Sequence, residues 1–190
     1  SCTGEIYAGN SGWSEVAEQY GFILIFPTAI PGSLLGDRNL GPVRSTNAPF
    51  PAWNHIKQAG RPYELTFFLH MLEDAEKRYP VDPSRVFATG HSNGSMMAHY
   101  LGMMVPERFA AIAPCSGIVY MAGSEVMLDY PETKNRKAVD LPVWMFGGEC
   151  EDWLLDFKPE DGNRTGKSIQ AWWRLNRMPG DAPTDFSHYT

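Results

Sequence analysis

The run Thr89-Gly90-His91-Ser92-Asn93-Gly94-Ser95, inside SRVFATGHSNGSMMAHYLG (residues 84–102), sets a serine between two glycines where one sequence pattern gives way to another. Upstream, Val86, Phe87 and Ala88 form a compact apolar run of the kind a buried strand carries. Downstream, Met96, Met97, Tyr100, Leu101 and Met104 recur at helical spacing. A strand that turns straight into a helix folds back sharply only where its crowded neighbours lack side chains, and Gly90 and Gly94 flank Ser92 at two residues on either side. G-x-S-x-G alone is short enough to recur by chance. Its position at a strand–turn–helix junction is what makes it a nucleophile elbow.

The flanking segments repeat the same alternation. Trp13, Val16, Ala17 and Tyr20 make a helical stripe that Gly21 stops. FILIF, Phe22 to Phe26, is a continuous apolar run ending at Pro27 and reads as a strand covered on both faces. From Thr28 to Pro62 the chain is rich in Pro and Gly, with Phe50 and Trp53 pointing to a packed loop rather than a disordered one. Phe68, Met71, Leu72, Ala75 and Tyr79 mark an amphipathic helix, with Glu73–Lys77 and Asp74–Arg78 as i,i+4 ion pairs and Pro80 as its stop. Strands are expected at 85–90, at Phe109 to Pro114 and at Pro142 to Gly148. A last helix carries Ile169, Trp172 and Trp173 toward the Pro179-Gly180 stop. Apolar strands alternating with helices predict an α/β fold, a mostly parallel sheet with helices on both faces and one long Pro/Gly-rich loop.

The 190 residues suit a single domain spanning 1–190, with 43% apolar and 20% charged residues as in soluble globular proteins. A net charge of −6 without a basic run argues against nucleic acid or an anionic membrane surface as a partner. No apolar stretch approaches the roughly 20 residues that span a bilayer. Three cysteines cannot all pair within the chain, so they define no disulfide framework. Cys115 reads as a small buried hydrophobe. No His, Cys or carboxylate cluster has ligand spacing, so neither a metal nor another cofactor is expected. Oligomeric state is not legible.

In such sheets the reactive groups gather at the carboxyl ends of the strands. Ser92 would present its hydroxyl there as a nucleophile, with the backbone N–H of Asn93 and the positive end of the following helix facing a developing oxyanion. A serine also suits a helix N-cap, but an N-cap needs no glycine on either side. Past the strand expected at Pro142 to Gly148, GGECEDWLL offers Glu151 and Asp152, with Glu149 behind them, as the acid that would orient a histidine in a Ser–acid–His triad. A solvated acidic turn is the plainer reading of that stretch. Of five histidines, His70 and His99 fall within helices, His91 adjoins the serine, and His55 lies in the long loop. Only His188 follows the acid in the required chain order, with no strand run before it.

These residues resemble the polyhydroxybutyrate-depolymerase-like esterases of the α/β-hydrolase superfamily, which include feruloyl and acetylxylan esterases. GWSEVAEQYGFILIFP resembles the family's helix and strand ahead of its long loop. YPVDPSRVFATGHSNGSMMAHYLG and PERFAAIAPCSG resemble its elbow block and following strand, and SIQAWWRLN the helix after its acid. Trp53-Asn54 resembles a tryptophan–asparagine pair in the loop, which marks Trp53 as a substrate-binding residue. The resemblance implies a secreted serine esterase with Ser92 as nucleophile, acting on small-molecule or polymeric esters. It aligns Glu151 with an acid usually written His-Gly-x-x-Asp. Here Gly147 stands for the histidine and glutamate for the aspartate, which leaves Asp152 as the alternative acid.

The family's first strands would fall before Ser1, with Cys2 resembling the residue just after them, and its catalytic Gly-His segment would fall after Thr190. The 190 residues are therefore expected to be the middle of a longer hydrolase, with the base outside them and His188 not that base. A peptidase of the same fold and a non-catalytic hydrolase-like binding protein are the alternatives to an esterase. Asn163-Arg164-Thr165 fits a glycosylation sequon, as does Asn93-Gly94-Ser95, where the elbow leaves no room for a glycan.

Overall fold

The computed structural model describes residues 3–29, 53, 64–119, 139–148, 151 and 164–180. The chain divides into two compact units, Ser1–Asn54 and His55–Thr190.

In the first unit, Thr3 opens helix α1 (Gly4–Asn10) by accepting the Ile6 N–H on its side-chain oxygen. Gly4 is buried, and its N–H donates to Thr28 Oγ1 at 2.9 Å. A Cβ at this position would run into the Phe26 carbonyl. Helix α2 (Trp13–Tyr20) follows the expected stripe and ends where Gly21 turns left-handed, φ 69° and ψ 50°. The apolar run after it departs from expectation. Phe22 to Phe26 joins no strand ladder among the described residues, and Phe22, Ile23 and Ile25 are 41%, 48% and 42% exposed. Its aromatic ends pack edge-to-face on the two helices instead, Trp13 with Phe22 and Tyr7 with Phe26. Apolar composition favours burial, but a strand needs a neighbouring backbone to pair with.

The second unit carries the sheet. Helix α3 (Glu64–Arg78) buries Leu65, Phe68 and Ala75, keeps the Asp74–Arg78 pair on its exposed side at 2.9 Å, and ends before Pro80. Tyr79, expected on its apolar stripe, lies past the end and is exposed. Glu76 reaches Arg108 at 2.7 Å and so ties α3 to the 3-10 turn Pro106–Arg108. Asp82 caps a second such turn, Pro83–Arg85, by accepting from both Ser84 N and Oγ, which holds its carboxyl below the usual carboxylate range.

Strand β1 (Phe87–His91) then pairs in parallel with β2 (Ala111–Cys115), Phe87 opposite Ala111 and His91 opposite Cys115. Between them runs helix α4 (Asn93–Met104), almost wholly buried. Residues 142–146 extend the sheet on the far side of β2 through parallel bridges at Val143 and Phe146. The ladder there includes Trp144 N to Ile112 O, Phe146 N to Pro114 O and Ser116 N to Phe146 O, at 2.9–3.0 Å. The two strands and the bridged segment 142–146 therefore run the same way and end at the same edge. Helix α5 (Arg164–Leu175) buries Ala171 and Trp172. Asn176 just beyond it clamps the backbone of Leu141, accepting from its N–H and donating to its carbonyl.

Helix α4 is held close on two sides. A Cβ at Gly102 would come within 2.9 Å of Leu141 Cδ2, 3.0 Å of Ile112 Cδ1 and 3.2 Å of Trp172 Cη2, so the helix lies tight between sheet and α5. The other sheet face shows Phe87 and Trp144 at 64% and 71% exposure, with the Trp144 and Phe146 rings 4.9 Å apart. This alternation between covered and open faces is the period-two pattern of a strand.

Candidate active site

Ser92 occupies the one residue between the end of β1 and the start of α4. Its backbone stands at φ 54° and ψ −114°, a region a residue with a side chain enters only under strain. Two hydrogen bonds hold it there. The Ser92 N–H donates to Cys115 O at 3.0 Å, extending the β1–β2 ladder, and the Ser92 carbonyl accepts from Met96 N at 3.1 Å, starting the helix. Although Ser92 sits at the N-cap position, its side chain makes no capping bond. The residue is exposed, so the hydroxyl stands at the sheet's carboxyl edge rather than in the helix.

The two glycines contribute unequally. A Cβ on Gly90 would lie 2.5 Å from the Gly94 carbonyl carbon, 2.6 Å from its oxygen and 2.9 Å from its Cα, so the return of the chain past β1 needs a bare Gly90. A Cβ on Gly94 would meet open space. The expectation that both positions must lack side chains therefore holds for Gly90 and fails for Gly94, because the close approach is of the Gly94 backbone, not of its missing side chain. Asn93 is half-buried and is the first residue of α4, at the helix's positive end.

The acid side is built on the next two strand ends. Glu151 is half-buried. Its Oε2 accepts from the Gly148 N–H at 2.8 Å and from the Ser116 hydroxyl at 2.9 Å, while its own N–H donates to Gly148 O at 3.0 Å. Ser116 follows β2 directly, is 8% exposed, and also has a positive φ, 53°. Since Cys115 bonds the Ser92 N–H and Ser116 bonds Glu151, one dipeptide joins the serine side to the acid side. Sequence reasoning passed over Ser116. Its only signal was its place between a strand end and Gly117 in APCSG, a context that a turn would also supply. Cys115, expected to be buried, is half-buried, with Sγ 3.7 Å from Ser116 Oγ.

Behind the elbow lies a buried polar pair. Ser95 and His99, one helical turn apart on α4, are both fully buried. His99 Nδ1 accepts from Trp172 Nε1 at 2.9 Å, and the two rings stack. That bond assigns the ring proton to Nε2, which finds no hydrogen bond of full geometry among the described residues. Burial pushes the His99 pKa down to about 3, with the Gly117 backbone acting the other way. A ring held in this way is part of the packed core. Ser95 Oγ likewise lacks a partner among the described residues.

His70 and His91 are exposed, His91 being the last residue of β1. Trp53 is half-buried and belongs to the first unit. Asp152, Glu149, His55, His188, Cys2, Cys150, Asn54 and Asn163 lie outside the described residues. Among the described residues no helix is long and apolar enough to cross a membrane.

Residues 52–138, which include the elbow, match the model of the prolyl oligopeptidase family. The chain is also similar to curated fungal enzymes. It is 30% identical over 123 residues to the "Probable acetylxylan esterase A" of Neosartorya fischeri, covering 62% of this chain and 29% of that protein. To the "Acetylxylan esterase A" of Aspergillus awamori it is 30% identical over 122 residues, 61% of this chain and 34% of the enzyme. The enzyme of the same name from Talaromyces purpureogenus is 29% identical over 123 residues, 62% and 28% of the two chains. The match thus spans about a third of the length of these relatives. A family model laid over the elbow block, together with parallel strands that end at a strained serine, gives this chain the α/β-hydrolase fold.

Proposed function

We propose that this protein is a serine carboxylic-ester hydrolase that works through an acyl-enzyme. The observation that carries the reading is the conformation of Ser92, strained, exposed and uncommitted to capping at the junction of β1 and α4. A histidine base takes the hydroxyl proton as Oγ attacks the ester carbonyl, giving a tetrahedral oxyanion. The Asn93 N–H, at the start of α4, stabilises that charge. Collapse expels the alcohol, which takes the proton back from the histidine and leaves Ser92 acylated. Water then repeats the sequence and releases the acid. Glu151 holds the histidine in register and stabilises its imidazolium, with Asp152 as the alternative for this role.

The similarity to acetylxylan esterases supports acetyl groups on a polysaccharide as the substrate, ahead of the feruloyl esters and polyhydroxybutyrate that the same resemblance suggests. Trp53 contributes to binding the polymer, and the protein is secreted to reach it. The match to the prolyl oligopeptidase family supports a second reading, a peptidase using the same serine.

Ser92→Ala tests both. The variant is expected to lose turnover of p-nitrophenyl acetate and acetylated xylan by roughly 1,000-fold or more, with its thermal midpoint unchanged and labelling by a fluorophosphonate abolished. Undiminished ester turnover would exclude Ser92 as the nucleophile. Cleavage of proline-containing peptides in place of the esters, again dependent on Ser92, would select the peptidase.

A further inference from the structure

Ser116 combines three features that a plain turn residue does not need together. It is buried, it holds a positive φ of 53°, and it directs its hydroxyl at one oxygen of a carboxylate 35 residues away. The same oxygen, Glu151 Oε2, also accepts the Gly148 N–H. Two donors converging on Oε2 fix the rotation of the carboxyl group, and among the described residues they leave the Oε1 edge as the one that can meet another partner. The N–H of Ser116 is engaged too, donating to Phe146 O at 2.9 Å, so the donor itself is anchored to the sheet.

We propose that Ser116 is a positioning residue for the hydrolytic reaction, its hydroxyl orienting Glu151 so that the free carboxylate oxygen faces the catalytic histidine. The inference rests on the esterase reading and on Glu151, not Asp152, being the acid. Without the Ser116 hydroxyl, the carboxylate keeps one donor and can rotate about its last torsion. The histidine then spends less time in the tautomer and orientation that accept the serine proton. Because Ser116 touches neither substrate nor nucleophile, its loss lowers kcat and leaves KM as it was.

The test is Ser116→Gly in the full-length protein. Glycine accepts φ 53° without strain, so the substitution removes the hydroxyl while preserving the turn; Ser116→Ala is the companion variant that keeps Cβ. The expected result is a fall in kcat of about 10-fold or more with KM within twofold, and no drop in thermal midpoint for the glycine variant. In a Glu151→Ala background, Ser116→Gly is expected to change kcat less than twofold, since there is no carboxylate left to orient. Wild-type kcat in both Ser116 variants overturns the proposal, as does an equal fold-loss with and without Glu151. If Ser92→Ala abolishes turnover while Glu151→Ala does not, the positioning role is overturned and the serine reading stands. Full turnover in Ser92→Ala marks the failure of the esterase reading itself.

Discussion

Ser92 and Ser116 end neighbouring parallel strands with almost the same φ, 54° and 53°, yet their side chains are used in opposite ways. Ser92 is exposed and its hydroxyl caps nothing. Ser116 is buried and its hydroxyl is committed to Glu151. Both backbones are pinned by the sheet, Ser92 through Cys115 O and Ser116 through Phe146 O. The strained conformation is therefore a property of the strand edge, where each chain must leave the sheet abruptly. What the hydroxyl then does is set by burial and by what lies across from it.

The largest effect on stability is expected where that strand exit is most crowded. Gly90→Ala would push a methyl to within 2.5–2.9 Å of the Gly94 backbone, which cannot yield as a flexible side chain could. The substitution is expected to cost about 1–3 kcal/mol and to lower kcat/KM by roughly 100-fold through displacement of Ser92. Gly94→Ala is the control, with open space for its methyl, and is expected to stay within about 1 kcal/mol of wild type. Urea unfolding and ester turnover measure both. Similar losses at the two glycines would mean that the turn depends on both bare positions, and the asymmetry described above would be wrong.

The elbow was legible because its signals are local. Two glycines, a serine and a change of period lie within twenty residues, and backbone sterics alone connect them. The segment Phe22 to Phe26 was misread for the opposite reason. An apolar run specifies that residues avoid water, whereas strand identity is conferred by a partner that the run does not contain. The strand expected at Pro142 to Gly148 is met in part, by two isolated parallel bridges at Val143 and Phe146, because β2 supplies the partner there. The acid was half legible. Its place after the strand expected at Pro142 to Gly148 follows from the order of elements, but the choice between Glu151 and Asp152 is a matter of side-chain direction. Ser116 was invisible, since its bond to Glu151 spans 35 residues and serine is common in turns.

An intermediate effect is expected at His99, in the wall behind the elbow. The unfolded chain protonates this residue near its ordinary pKa of about 6.5, while burial in the native state lowers that value to about 3. Stability due to the neutral ring is whole above the higher value and is lost progressively as pH falls toward the lower one. This single group can contribute at most about 1.4 kcal/mol per pH unit in that window. His99→Gln removes the titration and keeps an acceptor for Trp172 Nε1. Between pH 7 and 5 its unfolding free energy is expected to fall by about 1–2 kcal/mol less than that of wild type. Identical pH profiles would place the neutral, buried ring in doubt.

The smallest effect is expected at Ser95, a third serine, three residues past Ser92. Its hydroxyl is fully buried without a hydrogen-bond partner among the described residues, which makes it the reverse of Ser116 and unlike Ser92 in exposure. Burying an unpaired hydroxyl costs stability, so removing it should cost nothing. What the residue does supply is its Cβ. A methyl on Gly117 would come within 2.5 Å of Ser95 Cβ and Oγ and 3.0 Å of Ser92 O, which shows how closely α4 approaches the loop after β2. Alanine keeps that Cβ and therefore the contact. Ser95→Ala is expected to leave kcat within twofold and to change stability by less than about 1 kcal/mol, in the stabilising direction if at all. A loss above about 1 kcal/mol would show that the hydroxyl makes a bond after all. The elbow would then rest on a polar support from behind, rather than on the close packing of α4 alone.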